Sequence, residues 1–378
     1  MAEASVSRRR NPFEGLTIGA VLLEARAFLA LVVIFVVFSL LAPSAFPTVS
    51  NIIVMCQQVS VYAILAVGML VVILDGGIDL SVGSTLGLSG MVAGLALQGF
   101  PIAGVVLYPP VWVVVVVAVA TGALVGLING VLVARLNVAP FVATLGTMYV
   151  MRGLASLTTN GLTVNNLGGR TDLGNTGFEW LGFNSLLGIP VGVWILVVVA
   201  IVASLLLNRS VYGRWLYASG GNSRAAELSG VPVRKVRVRA YVISGVCAAI
   251  AGVILTSELT SAGPTQGTSY ELTAIAAVVI GGASLMGGKG TVRGTLLGAF
   301  VIGFLAAGLT IVGISAYVQT VFTGAVIVLA VLLNGIQVRR RRRAARESAG
   351  SPPAGSALPP SAAGDGDGVS PAVKNKAV

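Results

Sequence analysis

Long apolar runs alternate with short polar segments along most of this chain. The run at 111–134 alone exceeds the roughly 18 apolar residues with which a helix crosses about 30 Å of hydrocarbon. The pattern predicts an all-α integral membrane protein with about ten transmembrane helices, some of them broken at glycine. The predicted spans are 27–43, 52–74, 80–99, 111–134, 139–158, 190–207, 240–257, 271–288, 292–313 and 317–336.

One polar stretch, Asn208–Arg239, separates the sixth and seventh spans. Glu227 is its only acid, and its basic residues are Arg209, Arg214, Arg224, Arg234, Lys235, Arg237 and Arg239. So many charges cannot remain in hydrocarbon, so the stretch is predicted to be a loop in water. An ordinary basic loop that orients the neighbouring spans would explain most of these charges, and Arg234–Arg239 need no other role.

Composition agrees with the membrane assignment. Hydrophobic residues make up 56% of the chain and charged residues 10%, against about 25% charged in a typical soluble domain. The net charge of +11 does not indicate nucleic-acid binding, because the basic residues lie in short segments beside apolar spans. Ten spans with both termini in the cytoplasm place every strongly basic segment on one side of a plasma membrane.

The chain divides into three predicted parts. Residues 1–26 form a cytoplasmic amino-terminal segment, 27–338 a transmembrane domain with the polar stretch at 208–239, and 339–378 a cytoplasmic tail. The tail begins with the arginine run 339–343, which suits orientation and contact with lipid headgroups. Its remainder is rich in Ser, Pro, Ala and Gly, which bury too little apolar surface to fold, so disorder is predicted at 344–378.

Residues that commonly carry enzyme chemistry are scarce. The chain has no histidine, and its two cysteines, Cys56 and Cys247, lie in apolar runs, so neither a metal site nor a disulfide is expected. The segment Gly287-Gly288-Lys289 ends like a phosphate-binding loop, but position 283 is alanine and Lys289 is followed by Gly290. The chain is therefore predicted to bind no cofactor, to have no ATP-binding loop and not to be an enzyme.

Two glycine-rich breaks interrupt the apolar pattern. The first, DGGIDLSVGS at 75–84, holds Asp75 and Asp79, the only acids between Glu24 and Asp172. It is either a plain turn, in which Asp79 or Ser81 caps the next helix, or a broken helix at a permeation path or gate. The second, at 277–298, echoes it weakly, which suggests an internal repeat, although glycine also lets helices pack closely.

A short helix is predicted inside the polar stretch. The pair Gly220-Gly221 breaks the preceding segment, and Asn222 can cap a two-turn helix over 223–229. Gly230 suits the left-handed position after the helix, and Pro232 prevents its continuation. With its small side chains at Ala225 and Ala226, this helix offers a surface on which another protein could pack.

Four segments resemble a known family, in the expected order and within about residues 50–335. They are DGGIDLSVGS, APFVATLGTMYVMRGL, YGRWLYASGGNSRAAELSGV and GGASLMGGKGTVRGTLLGA. The sequence looks like the permease subunits of ABC-type importers for ribose, xylose and arabinose. The resemblance implies a pore of two permease chains, here a homodimer, with a cytoplasmic ATPase subunit and an extracytoplasmic sugar-binding protein.

The resemblance also implies how the ATPase would bind. The loop between the sixth and seventh spans would insert its short helix into a groove of that subunit. The residues that correspond here are Gly213, Arg214, Gly221, Asn222, Ser223, Arg224, Ala225, Ala226, Glu227 and Gly230.

The leading functional hypothesis is inward transport of a pentose or related monosaccharide by alternating access. Related permeases for branched-chain amino acids or nucleosides share the plan, so another small polar solute is the alternative. An ion-coupled secondary transporter is less favoured, because few titratable groups lie on the spans. The polar residues that could form the translocation path or gate are Gln57, Ser60, Asp75, Asp79, Asn129, Thr144, Thr147 and Arg152.

Two of these assignments carry alternatives. Gln57 and Gln58 adjoin on a helix and cannot both face a pore, so at most one would line it. Arg152, near the outer end of the fifth span, either snorkels outward to the interface or faces the protein interior. Each of the uncharged polar residues could equally hydrogen-bond a neighbouring helix.

Overall fold

Apolar helices account for most of the computed structural model, which describes residues 26–102 and 105–325 together with 328 and 332. In chain order the helices are α1 (Arg26–Leu41), α2 (Val49–Leu74), α3 (Val82–Gln98), α4 (Val111–Ala134), α5 (Pro140–Leu157), α6 (Trp180–Phe183), α7 (Val191–Arg209), α8 (Val211–Gly221), α9 (Ser223–Leu228), α10 (Val233–Glu258), α11 (Tyr270–Ile280) and α12 (Val292–Ile311). Residues 316–325 are also helical. The predicted segment before residue 26 and the predicted tail at 339–378 lie outside the described residues.

Short antiparallel strand pairs connect some of the helices. Strands β1 (Phe100–Ile102) and β2 (Val105–Leu107) form one pair, and β4 (Ser185–Leu186) and β5 (Ile189–Pro190) form another. The third joins β3 (Val164–Asn165) to β6 (Ser261–Ala262), with Val164 opposite Ala262. A short 3₁₀ helix lies at Thr171–Leu173.

Helices coincide with the predicted apolar spans, within the described part of the chain. A helix occupies each of the first nine predicted spans, and the tenth begins as a helix at residue 316. Five of them, α2, α4, α7, α10 and α12, are long and apolar enough to cross a membrane. Shorter apolar helices lie at Ala27–Leu41, Val82–Gln98 and Tyr270–Ile280.

Two helices differ in extent from the predicted spans. The span predicted at 271–288 is helical only to Ile280, because Gly281 caps the helix and Gly282 has a φ of 93°. The span predicted from residue 240 begins at Val233, so the basic residues that follow Pro232 belong to a helix rather than to a loop. Most of the polar stretch is therefore helical, since charge excludes a segment from hydrocarbon but not from a helix.

Helix α2 lies at the centre of the bundle. Its 26 residues extend about 39 Å at about 1.5 Å per residue, and its carboxyl-terminal half is buried on all sides. It packs against α7, α10, α11 and α12. A helix that is apolar around its whole circumference is expected to be surrounded by other helices, as this one is.

Helices α4 and α10 pack antiparallel with their backbones in contact. Gly122, Gly126 and Gly130 recur at every fourth position of α4 and face the α10 backbone between Val238 and Gly245. A Cβ at Gly130 would lie 2.8 Å from the Val238 Cα, so only glycine permits this separation.

The bundle has two chemically different ends. The basic end, where α2 and α4 finish and α3, α5, α10 and α12 begin, holds Arg135, Arg209, Arg214, Arg224, Arg234, Lys235, Arg237, Arg239, Lys289 and Arg293. The opposite end holds Arg152, Arg170, Asp172, Glu179, Glu258 and Glu271. The helix packing thus gathers on one end the basic segments that the sequence predicts to share one side of a membrane.

Candidate functional site

Helix α9 forms as the sequence predicts. The Asn222 side chain accepts a hydrogen bond from the Ala225 amide at 3.0 Å, which caps the amino terminus. After the helix, Gly230 has a φ of 83°, and its amide donates to the Glu227 carbonyl at 3.0 Å. These local bonds satisfy backbone groups that a two-turn helix would otherwise leave free.

The surface of α9 is nearly all exposed. Leu228 is 76% exposed, whereas Ala226 is buried at 6%. Of the two alanines predicted to form a packing surface, only Ala225 is accessible. Arg224 and Glu227 form an exposed ion pair at 3.5 Å, which contributes little to stability in water.

Helix α8 leads into α9 from a sharp turn. Ser210 caps it by accepting from the Gly213 amide at 3.0 Å, and a Cβ at Gly213 would overlap the Leu207 carbonyl. Arg214 follows in the first turn of α8 and is exposed. Gly221 is the last residue of α8, so the predicted glycine break is the end of this helix.

Glycines from three distant segments meet at the end of α8. A Cβ at Gly220 would overlap the Leu74 carbonyl and lie 2.7 Å from the Gly288 amide. The Gly288 amide donates to the same Leu74 carbonyl at 2.9 Å. A Cβ at Gly287 would lie 2.6 Å from the Gly220 carbonyl and 3.1 Å from the Gly76 amide. We call Gly76, Gly220, Gly287 and Gly288 the glycine junction; it joins both predicted breaks to α8.

Asp75, the carboxyl-terminal cap of α2, binds two elements of the polar stretch. Its Oδ1 accepts from the Ser219 hydroxyl at 2.7 Å, and its Oδ2 accepts from Arg237 Nε at 2.7 Å. The Asp75 side chain is 2% exposed and that of Arg237 is 28% exposed. Arg237 thus forms an ion pair with a buried carboxylate in addition to any orienting role, and Asp75 joins the break to the polar stretch.

Asp79 is buried within the break, beside helix α10. Its Oδ1 accepts from the Ser81 amide at 3.0 Å and from the Ser81 hydroxyl at 2.7 Å, and its Oδ2 accepts from the Ser244 hydroxyl at 2.8 Å. Asp79, rather than Ser81, thus satisfies a free amide at the start of α3. Three donors stabilise a carboxylate that would be costly to bury alone.

Three of the predicted path residues extend this network. Asn129 donates to the Ser81 hydroxyl at 2.8 Å and accepts from the Thr147 hydroxyl at 2.6 Å. The Thr144 hydroxyl donates to the Ile78 carbonyl at 3.1 Å. All three side chains are buried, so the network ties α3, α4 and α5 together around the break.

Tyr241 on α10 lies between the two aspartates. A Cβ at Gly77 would be 2.6 Å from its hydroxyl oxygen. That hydroxyl is buried and has no hydrogen-bond partner within the described part of the chain. A buried polar group without a hydrogen-bond partner is uncommon, and a different conformation of the break could bring a partner to this hydroxyl.

Gln57 and Ser60 lie toward the opposite end. The Gln57 amide donates to the Gly182 carbonyl at 2.6 Å, and the Ser60 hydroxyl donates to the Gln57 carbonyl at 2.6 Å. Gln58 is the exposed member of the glutamine pair. The structure does not bring these residues to the Asp79 network.

Arg152 contacts the connection that follows α10. Its Nη1 donates to the carbonyls of Pro264 and Gln266, each at 2.7 Å. The same nitrogen would be 3.0 Å from a Cβ at Gly87 on α3. The guanidinium is thus bound within the chain, at a distance from the two aspartates along α5.

Sequence reasoning missed Ser219, Arg237 and Ser244 as partners of the aspartates. The signal that could have found them is the isolation of two acids beside long apolar runs, since a buried carboxylate needs donors from elsewhere in the chain. Among the described residues no group of three or more His, Cys, Asp or Glu side chains could hold a metal ion.

Comparison with known proteins identifies the family. Residues 51–331 match the sequence model described as branched-chain amino acid transport system / permease component. The ribose import permease protein RbsC of Haemophilus influenzae is 45% identical over 86% of this chain and 97% of its own, and that of Bacillus subtilis is 42% identical over 88% and 97%. The D-allose transport system permease protein AlsC of Escherichia coli is 37% identical over 81% of this chain and 90% of its own. No solved structure matches the chain. This protein, a transport subunit rather than an enzyme, belongs to the permease-component family of these import systems.

Proposed function

We propose that this chain is the membrane-spanning permease subunit of an ATP-driven ABC importer that carries ribose or a related monosaccharide inward by alternating access. The observation that carries the proposal is the similarity to ribose permeases over nearly their whole length. The family's description favours a second candidate solute, a branched-chain amino acid.

The basic end faces the cytoplasm in this proposal, because positively charged segments stay on that side of a membrane. Both chain termini would then be cytoplasmic, with ten spans between them. On this end α9 binds a separate ATPase subunit. Its exposed side chains and its caps at Asn222 and Gly230 support that role, since an exposed helix held in one shape suits docking. The bound subunit would supply ATP hydrolysis.

The break at 75–84 acts as the gate. Asp75, Asp79, Asn129, Thr144 and Thr147 are buried within one chain, so they hold helix ends in place rather than bind solute in this state. Gln57, Ser60 and Arg152 lie toward the end from which solute enters, where an extracytoplasmic binding protein would deliver it.

A second copy of the chain completes the pore. The outward face of α5 supports this arrangement, because Gly146 and Gly153 have open space around them and Tyr149 is 69% exposed. Glycine on an exposed helix face permits close packing against another helix in a membrane.

The test is uptake of labelled D-ribose and L-leucine by membrane vesicles that contain the chain with its ATPase and binding protein. Arg224→Glu and Ala225→Trp alter exposed side chains of α9, so each should release the ATPase and lower uptake at least tenfold with the chain still in the membrane. Arg234→Glu makes the same charge change outside α9 and should retain the ATPase. Normal uptake by either α9 variant contradicts docking on α9, and uptake of leucine instead of ribose replaces the sugar assignment.

A further inference from the structure

One carboxylate binds the chain on both sides of α9. Ser219 precedes α9 in the last turn of α8, and Arg237 follows it in the second turn of α10. Both donate to Asp75, at 2.7 Å each. The chain therefore contacts Asp75 through Ser219, forms the exposed helix α9, and contacts Asp75 again through Arg237.

The contacts around this carboxylate leave little room for independent movement. Gly220, the next residue after Ser219, lies directly against the Leu74 carbonyl, with no side chain between the two backbones. Tyr217 on α8 also donates to the Gly290 carbonyl at 2.8 Å. Packed backbones do not compress, so this contact transmits movement of α8 toward α2, whereas movement of α8 away from α2 is opposed by the hydrogen bonds to Asp75 and Gly290.

We propose that the Asp75–Arg237 ion pair, with the Ser219 bond, transmits displacement of α9 to the break at 75–84. Asp75 and Arg237 are positioning residues in this proposal, and neither touches solute or ATP. The proposal rests on the proposed docking of an ATPase on α9. It adds the contacts through which movement of the docked helix would displace the gate.

The direction of transmission follows from the connectivity. Asp75 is the first residue after α2 and lies four residues before Asp79, which holds the start of α3 and contacts α10 through Ser244. Movement of the Asp75 carboxylate thus shifts the turn that also positions Asp79. Tyr241, whose hydroxyl has no hydrogen-bond partner among the described residues, lies close enough to this turn to donate to it when the turn moves.

Hydrogen–deuterium exchange of the purified complex in lipid nanodiscs tests the proposal. Exchange is followed at 222–229 and at 76–84, first with the ATPase subunit and then with added ATP and vanadate. In the wild-type complex we expect the ATPase to protect 222–229, and nucleotide to change exchange at 76–84 at least fivefold. The double variant Asp75→Asn/Arg237→Gln removes both charges and leaves no unpaired buried ion. It should keep the protection at 222–229 and lose the response at 76–84.

The control is Arg234→Gln, which makes the Arg237→Gln charge change on an exposed side chain of α10 outside the ion pair. It should respond like the wild type. A wild-type response at 76–84 in the double variant overturns the proposal, and so does a wild-type complex whose break does not respond to nucleotide. Absence of protection at 222–229 in the wild type instead contradicts the proposed function. If the double variant does not assemble, Arg237→Gln alone decides the question from the same two segments.

Discussion

Replacement of Gly220 by alanine tests the backbone contact at the glycine junction. The added Cβ would overlap the Leu74 carbonyl and lie 2.7 Å from the Gly288 amide. The amide alone would have to withdraw by about 1 Å to reach the roughly 3.5–4.0 Å optimum of non-bonded contacts. Since both neighbours are backbone atoms, no side-chain rotation relieves the overlap.

We expect Gly220→Ala to lower the free energy of unfolding by about 1–3 kcal/mol, the usual cost of inserting a carbon into a packed interior. That corresponds to a fall of several degrees in the melting temperature. The assay is thermal unfolding of the detergent-solubilised chain, followed by tryptophan fluorescence.

Gly221→Ala is the matched control, because a Cβ at Gly221 would meet nothing within 4 Å. It removes a glycine from the end of the same helix and should leave the melting temperature unchanged or slightly raised. Equal melting temperatures for Gly220→Ala and Gly221→Ala would refute the close contact between α8 and the end of α2.

Two further pairs of substitutions test the break. Tyr241→Phe removes a buried hydroxyl without a partner in the described residues, so it should not lower stability. Ser244→Ala removes a 2.8 Å hydrogen bond to Asp79, so it should lower the free energy of unfolding by about 1–3 kcal/mol in a thermal melt. Equal losses in the two variants would contradict the assigned bonds. Asp79→Ala should reduce uptake per membrane-inserted chain far more than Arg170→Ala. Arg170 lies in an exposed pair with Asp172, where it lowers the pKa of that carboxyl through a direct hydrogen bond. Similar uptake in these two variants would return the break to the role of a plain turn.

Local signals were sufficient to predict α9 from the sequence. Its cap at Asn222 and its left-handed glycine at 230 act over fewer than ten residues, and both are found as predicted. The approximate positions of the long apolar helices through residue 311 also followed from the apolar runs. The start of α10 could not be predicted from the apolar runs. A helix needs only one buried face, and Val236 and Ala240 form that face among the basic residues.

The partners of the two aspartates could not be predicted in this way. Asp75 contacts Ser219 and Arg237, which are 144 and 162 positions away, and Asp79 contacts Ser244, 165 positions away. Nothing in the local pattern says which helices become neighbours. Burial of an acid requires a donor, but it does not identify which of the basic residues at that end supplies it.

The backbone contact between α4 and α10 has a mechanical consequence. Side chains can change rotamer and let two helices slide, but Gly122, Gly126 and Gly130 offer none to rotate. Backbone packing this close favours movement of the two helices together. We therefore expect relative motion within the bundle at the segments where helices are interrupted, at 75–81 and 281–291.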